Sequence, residues 1–329
     1  MNKHFKFIDL FAGIGGIRIP FQELGGECVF TSEWDPHAQK TYEANFNETP
    51  FGDITQVDAK DIPDHNILLA GFPCQPFSII GEKEGFSDTR GTLFFDIERI
   101  IEEKRPDAFL LENVKHLVGH NKGNTFEVIK EHLSKLGYTF YYKVLNALDY
   151  GLPQKRERVI IVGFREQLPF KWPEPHKQRA LLSNILEKEN EVCPSLFASE
   201  KIQKDRLLKY KGEHLSPSIW HQNKSGNISA LPYSCALRAG ASYNYLLVDG
   251  KRRPSARELL RLQGFPEDFI IPVSYTQLRK QAGNSVPVSV IRAVAKEMLI
   301  SLNSKMPTKI ETKLPQKKIS LEQKVCVNG

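Results

Sequence analysis

Apolar residues in the first half of the chain fall into short runs separated by longer amphipathic stretches. Phe5–Leu10 reads as a strand, Gly13–Gly16 as a turn, and the residues to about Leu24 as a helix. Cys28–Ser32 is a second strand, followed by a helix through the Gln39–Asn45 region, and Asn66–Ala70 is a third strand. Leu93–Lys104 has helical spacing, Ala108–Leu111 is strand again, and Phe126–Leu136 is another helix. Tyr138–Leu145 and Val159–Phe164 are apolar and β-rich. Strands alternating with helices predict an α/β fold, doubly wound around a mostly parallel sheet. The pattern changes after Phe164. Prolines stand at 169, 173, 175, 194, 217 and 232, Ser, Asn and Gly are frequent, and helical periodicity is poor. This predicts a second, smaller, loop- and strand-rich lobe. Helical spacing returns at Ser255–Leu262 and at Val286–Leu302, and the latter is expected to rejoin the α/β sheet. The expected organisation is a first domain over 1–164 completed by 275–303, a second domain over 165–274 whose variable part is 165–256, and a Lys-rich, disordered tail over 304–329.

The 329 residues, 40% hydrophobic and 26% charged, suffice for one large core and a smaller lobe. No run of about 18 apolar residues exists, so no membrane span is expected. The first apolar stretch is broken by Asp9 and reads as a strand, not a signal peptide. Five cysteines, at 28, 74, 193, 235 and 326, are scattered without a Cys-x-x-Cys pair. That pattern argues against a disulfide framework and a zinc cluster, and suits a reducing cytoplasm. The net charge of +6 is concentrated: Lys201–Arg261 holds 12 Lys and Arg against 4 Asp and Glu. Such an excess suits a polyanion, because each neutralised phosphate releases counterions, although a solvated surface can look the same.

Two groups of residues carry chemistry. In the first, Phe11-Ala-Gly-Ile-Gly-Gly16 follows a strand and opens a helix, so Gly13, Gly15 and Gly16 would let the backbone approach a ligand closely. Glu33 at the end of the second strand can accept hydrogen bonds from a ribose diol, Trp34 can cover an adenine face, and Asp53 can accept from an adenine amino group. Each alone also fits a helix cap or a buried aromatic; together they describe an adenosine pocket. In the second group, Gly71-Phe-Pro-Cys-Gln-Pro-Phe-Ser78 follows the third strand, with prolines stiffening the turn around Cys74. Glu112-Asn-Val114 closes the next strand and Gln154-Lys-Arg-Glu-Arg158 precedes another. An acid and arginines beside a cysteine suit a planar heterocycle that must be activated.

These blocks, with Arg257-Glu-Leu-Leu-Arg-Leu-Gln-Gly-Phe-Pro266 and Gln281-Ala-Gly-Asn-Ser-Val286, resemble the cytosine-5 DNA methyltransferases, particularly the single-chain bacterial modification enzymes. Six blocks in the family's order span 5–290. The resemblance implies the Rossmann-like fold of S-adenosylmethionine-dependent methyltransferases with a target-recognition domain. It also implies covalent addition of Cys74 to carbon 6 of cytosine, with Glu112 at ring nitrogen 3 and Arg158, with Arg156 close by, at the exocyclic oxygen. Its cofactor contacts carry over to Phe11, Gly13, Gly15, Gly16, Glu33, Trp34, Asp53, Ile54, Asn284 and Ser285. S-adenosyl-L-methionine is then the cofactor, with no metal. Ile79–Leu93 would be a lid over an extruded base.

Ser78, Arg90, Arg238, Ser242, Tyr243 and Asn244 are the candidate DNA contacts. Tyr245 is a further candidate in the run Leu237–Tyr245, some of whose residues must be core. The implied setting is a monomer acting on double-stranded DNA in the bacterial cytoplasm. A cognate restriction endonuclease would share the site without a stable complex. The competing reading is a tRNA cytosine-5 methyltransferase on the same core. A non-enzymatic binder need not keep Cys74, Glu112 and Arg158 together, and a small-molecule methyltransferase would not need the basic lobe.

Overall fold

A computed structural model describes residues 4–73, 93–213 and 215–304. The expected nucleophile Cys74, Ser78, the expected lid up to residue 92 with Arg90, and the tail beyond Ser304 lie outside the described residues. The first half runs β1 (Phe5–Leu10), α1 (Arg18–Glu23), β2 (Gly26–Ser32), α2 (Pro36–Phe46), β3 (Ile67–Gly71), α3 (Leu93–Lys104), β4 (Ala108–Val114), α4 (His116–Gly119), α5 (Asn124–Lys135), β5 (Thr139–Asn146), β6 (Gln154–Lys155) and β7 (Glu157–Phe164). The rest runs α6 (Glu200–Lys209), β8 (Ile219–Gln222), β9 (Ile228–Leu231), β10 (Ser234–Cys235), β11 (Leu246–Val248), α7 (Ala256–Gln263), α8 (Tyr275–Asn284) and α9 (Val288–Asn303).

Six strands form one sheet in the order β2-β1-β3-β4-β7-β5. β1 pairs in parallel with β2 and β3, and β3 with β4, whereas β7 is antiparallel to both β4 and β5. One strand of the six therefore runs backwards in a mostly parallel sheet, as expected from the alternating pattern. Because strand side chains alternate in direction, the sheet has two apolar faces. Phe7, Leu69, Leu110 and Val162 pack on one side with Phe21 of α1 and Val290, Val294 and Met298 of α9. Ile8, Leu68, Phe109 and Ile161 pack on the other with Ile97 and Ile101 of α3 and Ile129 and Leu133 of α5. The fold is thus doubly wound, and α9 rejoins the sheet.

Past Phe164, regular structure is sparse. The antiparallel sheet β11-β8-β9 buries Trp220 with Leu247, Ala230 and Ala198. Contacts with the large sheet and the glycine turn occur near both ends of this segment. Leu168, Phe170 and Trp172 pack against the large sheet, because Tyr141 and Phe164 leave an apolar edge there. Helix α7 is shared: Leu259 and Leu262 face the second lobe, whereas Leu260 packs with Ile14, Ile19 and Phe265 beneath the glycine turn. Its start is a capping box, with Ser255 and Glu258 each binding the other's backbone. Of the basic residues counted over 201–261, Arg206, Arg252 and Arg253 are buried. Arg252 makes a two-pronged ion pair with Glu258 at 2.7 and 2.8 Å, so part of that charge excess is internal framework.

Candidate active site

The ends of β1, β2, β3 and β4 meet the start of β7 at one edge of the sheet. Reversal of β7 is what allows this: Val114 pairs with Arg158 and Glu112 with Ile160, so the residues entering β7 lie beside those leaving β4. β4 runs on to Val114, past the apolar run that ends at Leu111, and Glu112 sits inside the strand. A cavity of about 600 Å³ opens along this edge.

One end of the cavity is built on the turn after β1. Phe11 adopts a left-handed conformation, φ 55°, as does Gly13 at 58°, which bends the chain abruptly out of the strand. Glu33 holds this turn, its carboxylate accepting from the amides of Gly13 at 2.7 Å and Asp35 at 2.8 Å. Burial pushes its carboxyl up, against those amide hydrogen bonds. Trp34, 79% exposed, stands at the rim, and Asp53 caps a short turn through the Thr55 amide at 3.0 Å. Phe11, Gly13, Gly16, Glu33, Trp34, Asp53, Ile54, Asn284 and Ser285 all line the cavity. Gly16 is pressed against the second segment: a Cβ there would stand 2.8 Å from Ser285 Oγ and 3.0 Å from Val286 Cγ2. Gly15 is set back from the cavity wall, and its α-carbon faces the Phe46 ring, where a Cβ would come within 2.3 Å. Its glycine serves packing.

Residues that sequence reasoning passed over brace this end. Lys280 reaches Asp35 at 2.7 Å, Gln281 donates to the His37 carbonyl at 2.8 Å, and Thr41 donates to Gln281 at 3.1 Å. Together they tie α8 to α2. Lys280 immediately precedes the quoted Gln-Ala-Gly-Asn-Ser-Val block, which was the available signal.

The other end holds Gly71, Phe72 and Pro73, the residues leading to Cys74, together with Glu112, Asn113 and Arg158. Asn113 donates to the Phe72 carbonyl at 2.9 Å, fixing the approach to Cys74 against β4; its place between Glu112 and Val114 was the clue. Arg158 Nε lies 2.8 Å from Glu112 Oε1 as an ion pair not aligned for a hydrogen bond. Burial pushes the Glu112 carboxyl up, opposed by Arg158 and then Arg156. The site thus offers an acid that keeps its proton above the ordinary carboxyl range, beside a guanidinium.

Arg156 also lines the cavity, at its buried wall. It is 1% exposed and donates to the Leu237 carbonyl at 2.9 Å, the Gly283 carbonyl at 2.9 Å and the Ser285 carbonyl. Burial, then Arg158, pushes its guanidinium down to about 9. Its terminal nitrogens are taken up by backbone carbonyls.

The described DNA-contact candidates cluster beyond the cavity. Arg238 and Ser242 are exposed, and Tyr243 is 45% exposed with the guanidinium carbons of Arg253 and Arg279 4.3 and 4.8 Å from its ring centre. Asn244 accepts from Arg253 at 3.1 Å, and Tyr245 is buried, with its hydroxyl accepting from the Arg238 amide at 3.1 Å. Among the described residues no group of three or more His, Cys, Asp or Glu is placed to hold a metal ion, and no helix is long and apolar enough to cross a membrane.

A family model described as C-5 cytosine-specific DNA methylase matches residues 5–299. The chain is 60% identical over 301 residues to the Type II methyltransferase M.HaeII of Haemophilus aegyptius, covering 92% of this chain and 95% of that one. It is 60% identical over 292 residues to M.NgoBI of Neisseria gonorrhoeae, covering 89% and 92%. Among solved structures, the S. pombe Dnmt2 methyltransferase superposes with a TM-score of 0.70 at 19% identity over 92% of this chain and all of that one, a likeness of fold.

Proposed function

The chain belongs to the C-5 cytosine-specific DNA methylases, and on that premise we propose how its cavity performs methyl transfer. It is a DNA (cytosine-5-)-methyltransferase, and its family uses S-adenosylmethionine. The observation that carries the residue-level reading is that both groups share one cavity. One end has an acid-clasped glycine turn and an exposed indole, and the other an acid and a guanidinium beside the segment entering Cys74.

The residues fit an adenosyl group. Gly16 leaves no Cβ between the turn and Ser285, Trp34 presents an uncovered aromatic face, and Asp53 keeps a carboxylate oxygen beyond its cap. S-adenosylmethionine supplies a methyl group made electrophilic by its sulfonium. Phe11 and Trp34 would flank its adenine, Glu33 its ribose, and Asn284 with Ser285 its methionine end. Cytosine carbon 5 is a poor nucleophile until Cys74 adds through sulfur to carbon 6. Glu112 gives its proton to ring nitrogen 3 as negative charge builds there, and Arg158 holds the exocyclic oxygen. The ring is then an enamine whose carbon 5 accepts the methyl. Loss of the carbon 5 proton expels Cys74 as thiolate, and nitrogen 3 returns its proton to Glu112.

A stacked base cannot reach this cavity, so the target cytosine must be extruded from double-stranded DNA, at a cost of a few kcal/mol. Residues 165–256 would carry target recognition, with Arg238, Ser242, Tyr243 and Asn244 toward the bases and backbone. The relatives' names support a modification enzyme of a restriction–modification system. We take it to act as a cytoplasmic monomer without a metal, in parallel with an endonuclease that shares its site but forms no stable complex. A tRNA substrate is the weaker alternative, because the matching family is one of DNA enzymes. Sequencing 5-methylcytosine in DNA from cells expressing the chain tests the reaction and reveals the target. Cys74→Ala should abolish methylation while S-adenosylhomocysteine still binds; a variant methylating near the wild-type rate refutes the covalent route.

A further inference from the structure

Gln154, Arg156 and Arg158 alternate with Lys155 and Glu157, so three side chains share one face of an extended segment. The last of them meets Glu112. The first two turn toward other parts of the chain. Gln154 accepts from the Leu237 amide at 3.0 Å and donates to the Leu262 carbonyl at 2.7 Å. Arg156 donates to the Leu237 carbonyl and, with its other terminal nitrogen, to the carbonyls of Gly283 and Ser285. Leu237 immediately precedes the exposed Arg238, while Asn284 and Ser285 line the cavity. The two segments also touch directly, since a Cβ on Gly283 would stand 2.3 Å from the Ala239 amide nitrogen and 2.7 Å from the Arg238 carbonyl carbon. The Gly283 carbonyl closes ten-residue α8, whose C-terminal end is electronegative and favours a buried cation.

We propose that Arg156 is a positioning residue that locks the Leu237–Ala239 segment to the Gly283–Ser285 segment, so that engagement of a target duplex and binding of the cofactor strengthen one another. The inference rests on the methyltransferase reading. A shift of 237–239 on the duplex cannot leave 283–285 in place, because one rigid, planar guanidinium holds both, and the reciprocity of linkage makes the effect mutual.

The test uses the full chain, S-adenosylhomocysteine and two duplexes, one bearing the mapped methylation site and one with that site scrambled. The Kd of S-adenosylhomocysteine is measured on each duplex by titration calorimetry. Wild type should bind at least about fivefold more tightly on the methylatable duplex. Arg156→Lys keeps the charge but cannot bridge both segments, and should bring that ratio to within about twofold of one, with KM for DNA and cofactor rising more than kcat falls. Gly283→Ala perturbs the same contact from α8 and should act alike, which keeps the inference testable if Arg156→Lys does not fold. A merely structural role would lower Tm and weaken binding equally on both duplexes, leaving the ratio unchanged. That result overturns the proposal, as does a wild-type ratio of one or a fall in kcat at unchanged KM. A chain that methylates no DNA sinks the underlying reading as well, whereas methylation with an unaltered ratio sinks this inference alone.

Discussion

Replacing Glu112 with Gln isolates the proton from the shape. Glu112 is buried inside β4, its Oε1 2.8 Å from Arg158 Nε and without a hydrogen-bond donor of its own. Gln has nearly the same volume and leaves an oxygen facing Arg158, so packing should change little. What disappears is a transferable proton. General acid catalysis contributes about 10²–10⁴-fold, or about 3–5 kcal/mol of the barrier. Single-turnover methyl transfer into a saturating duplex should fall by that factor. The pH profile gives a second reading. Burial holds the carboxyl's titration above the ordinary range, against Arg158 and Arg156. The competent acid form therefore persists past the usual carboxyl pH and is lost as pH rises through the raised value. Wild type should show a declining alkaline limb and Glu112→Gln none. A Gln variant within about threefold of wild type, or one that keeps the limb, would refute the assignment of Glu112 as the acid.

Gly16→Ala inserts a methyl 2.8 Å from Ser285 Oγ, 3.0 Å from Val286 and 3.3 Å from the Phe265 ring. Such overpacking should cost about 1–3 kcal/mol of stability. It should weaken S-adenosylhomocysteine binding, measured by calorimetry, by more than it weakens binding of a methylatable duplex; equal effects would remove Gly16 from the cofactor end. Asp9 offers a test by pH. Both its carboxylate oxygens are buried without a partner, while the nearby Arg18 is taken by Glu48 and Tyr42 at 2.7 Å each, and burial pushes the Asp9 carboxyl up to about 8. Folded protein keeps this proton where unfolded chain releases it. Stability from the group is therefore full below about pH 4 and drains by up to about 1.4 kcal/mol per pH unit until about pH 8. Asp9→Asn should gain on wild type in thermal melts across that window and level off above it; parallel curves would show that Asp9 is ionised throughout.

Most of the sheet was legible because β1, β3 and β7 are bounded apolar runs. The end of β4 was not, since Glu112 and Asn113 interrupt the apolar run while β7 still pairs with them. Polar residues inside strands break the pattern where chemistry needs them. Helix α8 was missed because Tyr275–Asn284 is polar on most sides, with Leu278 and Ala282 its main apolar anchors. The division at 165 and 274 followed composition, but composition cannot reveal that Phe170 and Trp172 cover the large sheet or that α7 has one face in each lobe. The residues that line the cavity were legible by type and order; the contacts of Gly15 with Phe46 and of Arg156 with backbone at 237, 283 and 285 were not, because those partners are distant in sequence.

Asp9 and Glu112 show why a buried acid alone does not mark a site. Each lies inside a strand of the sheet, and burial pushes each upward. Glu112 opens onto the cavity and faces Arg158, an arrangement that can deliver a proton to a ligand and absorb the charge left behind. Asp9 points into the layer between β1, α1 and α2, where Arg18, Tyr42, Thr31 and Glu48 already satisfy one another. No ligand can reach a proton held there, so its titration registers as stability. Access to the cavity, together with a cation to balance the carboxylate left once the proton is given up, separates an acid able to react from a structural one. Glu112 with Arg158 meets both conditions at the cavity, where Asn113 holds the segment that leads to Cys74.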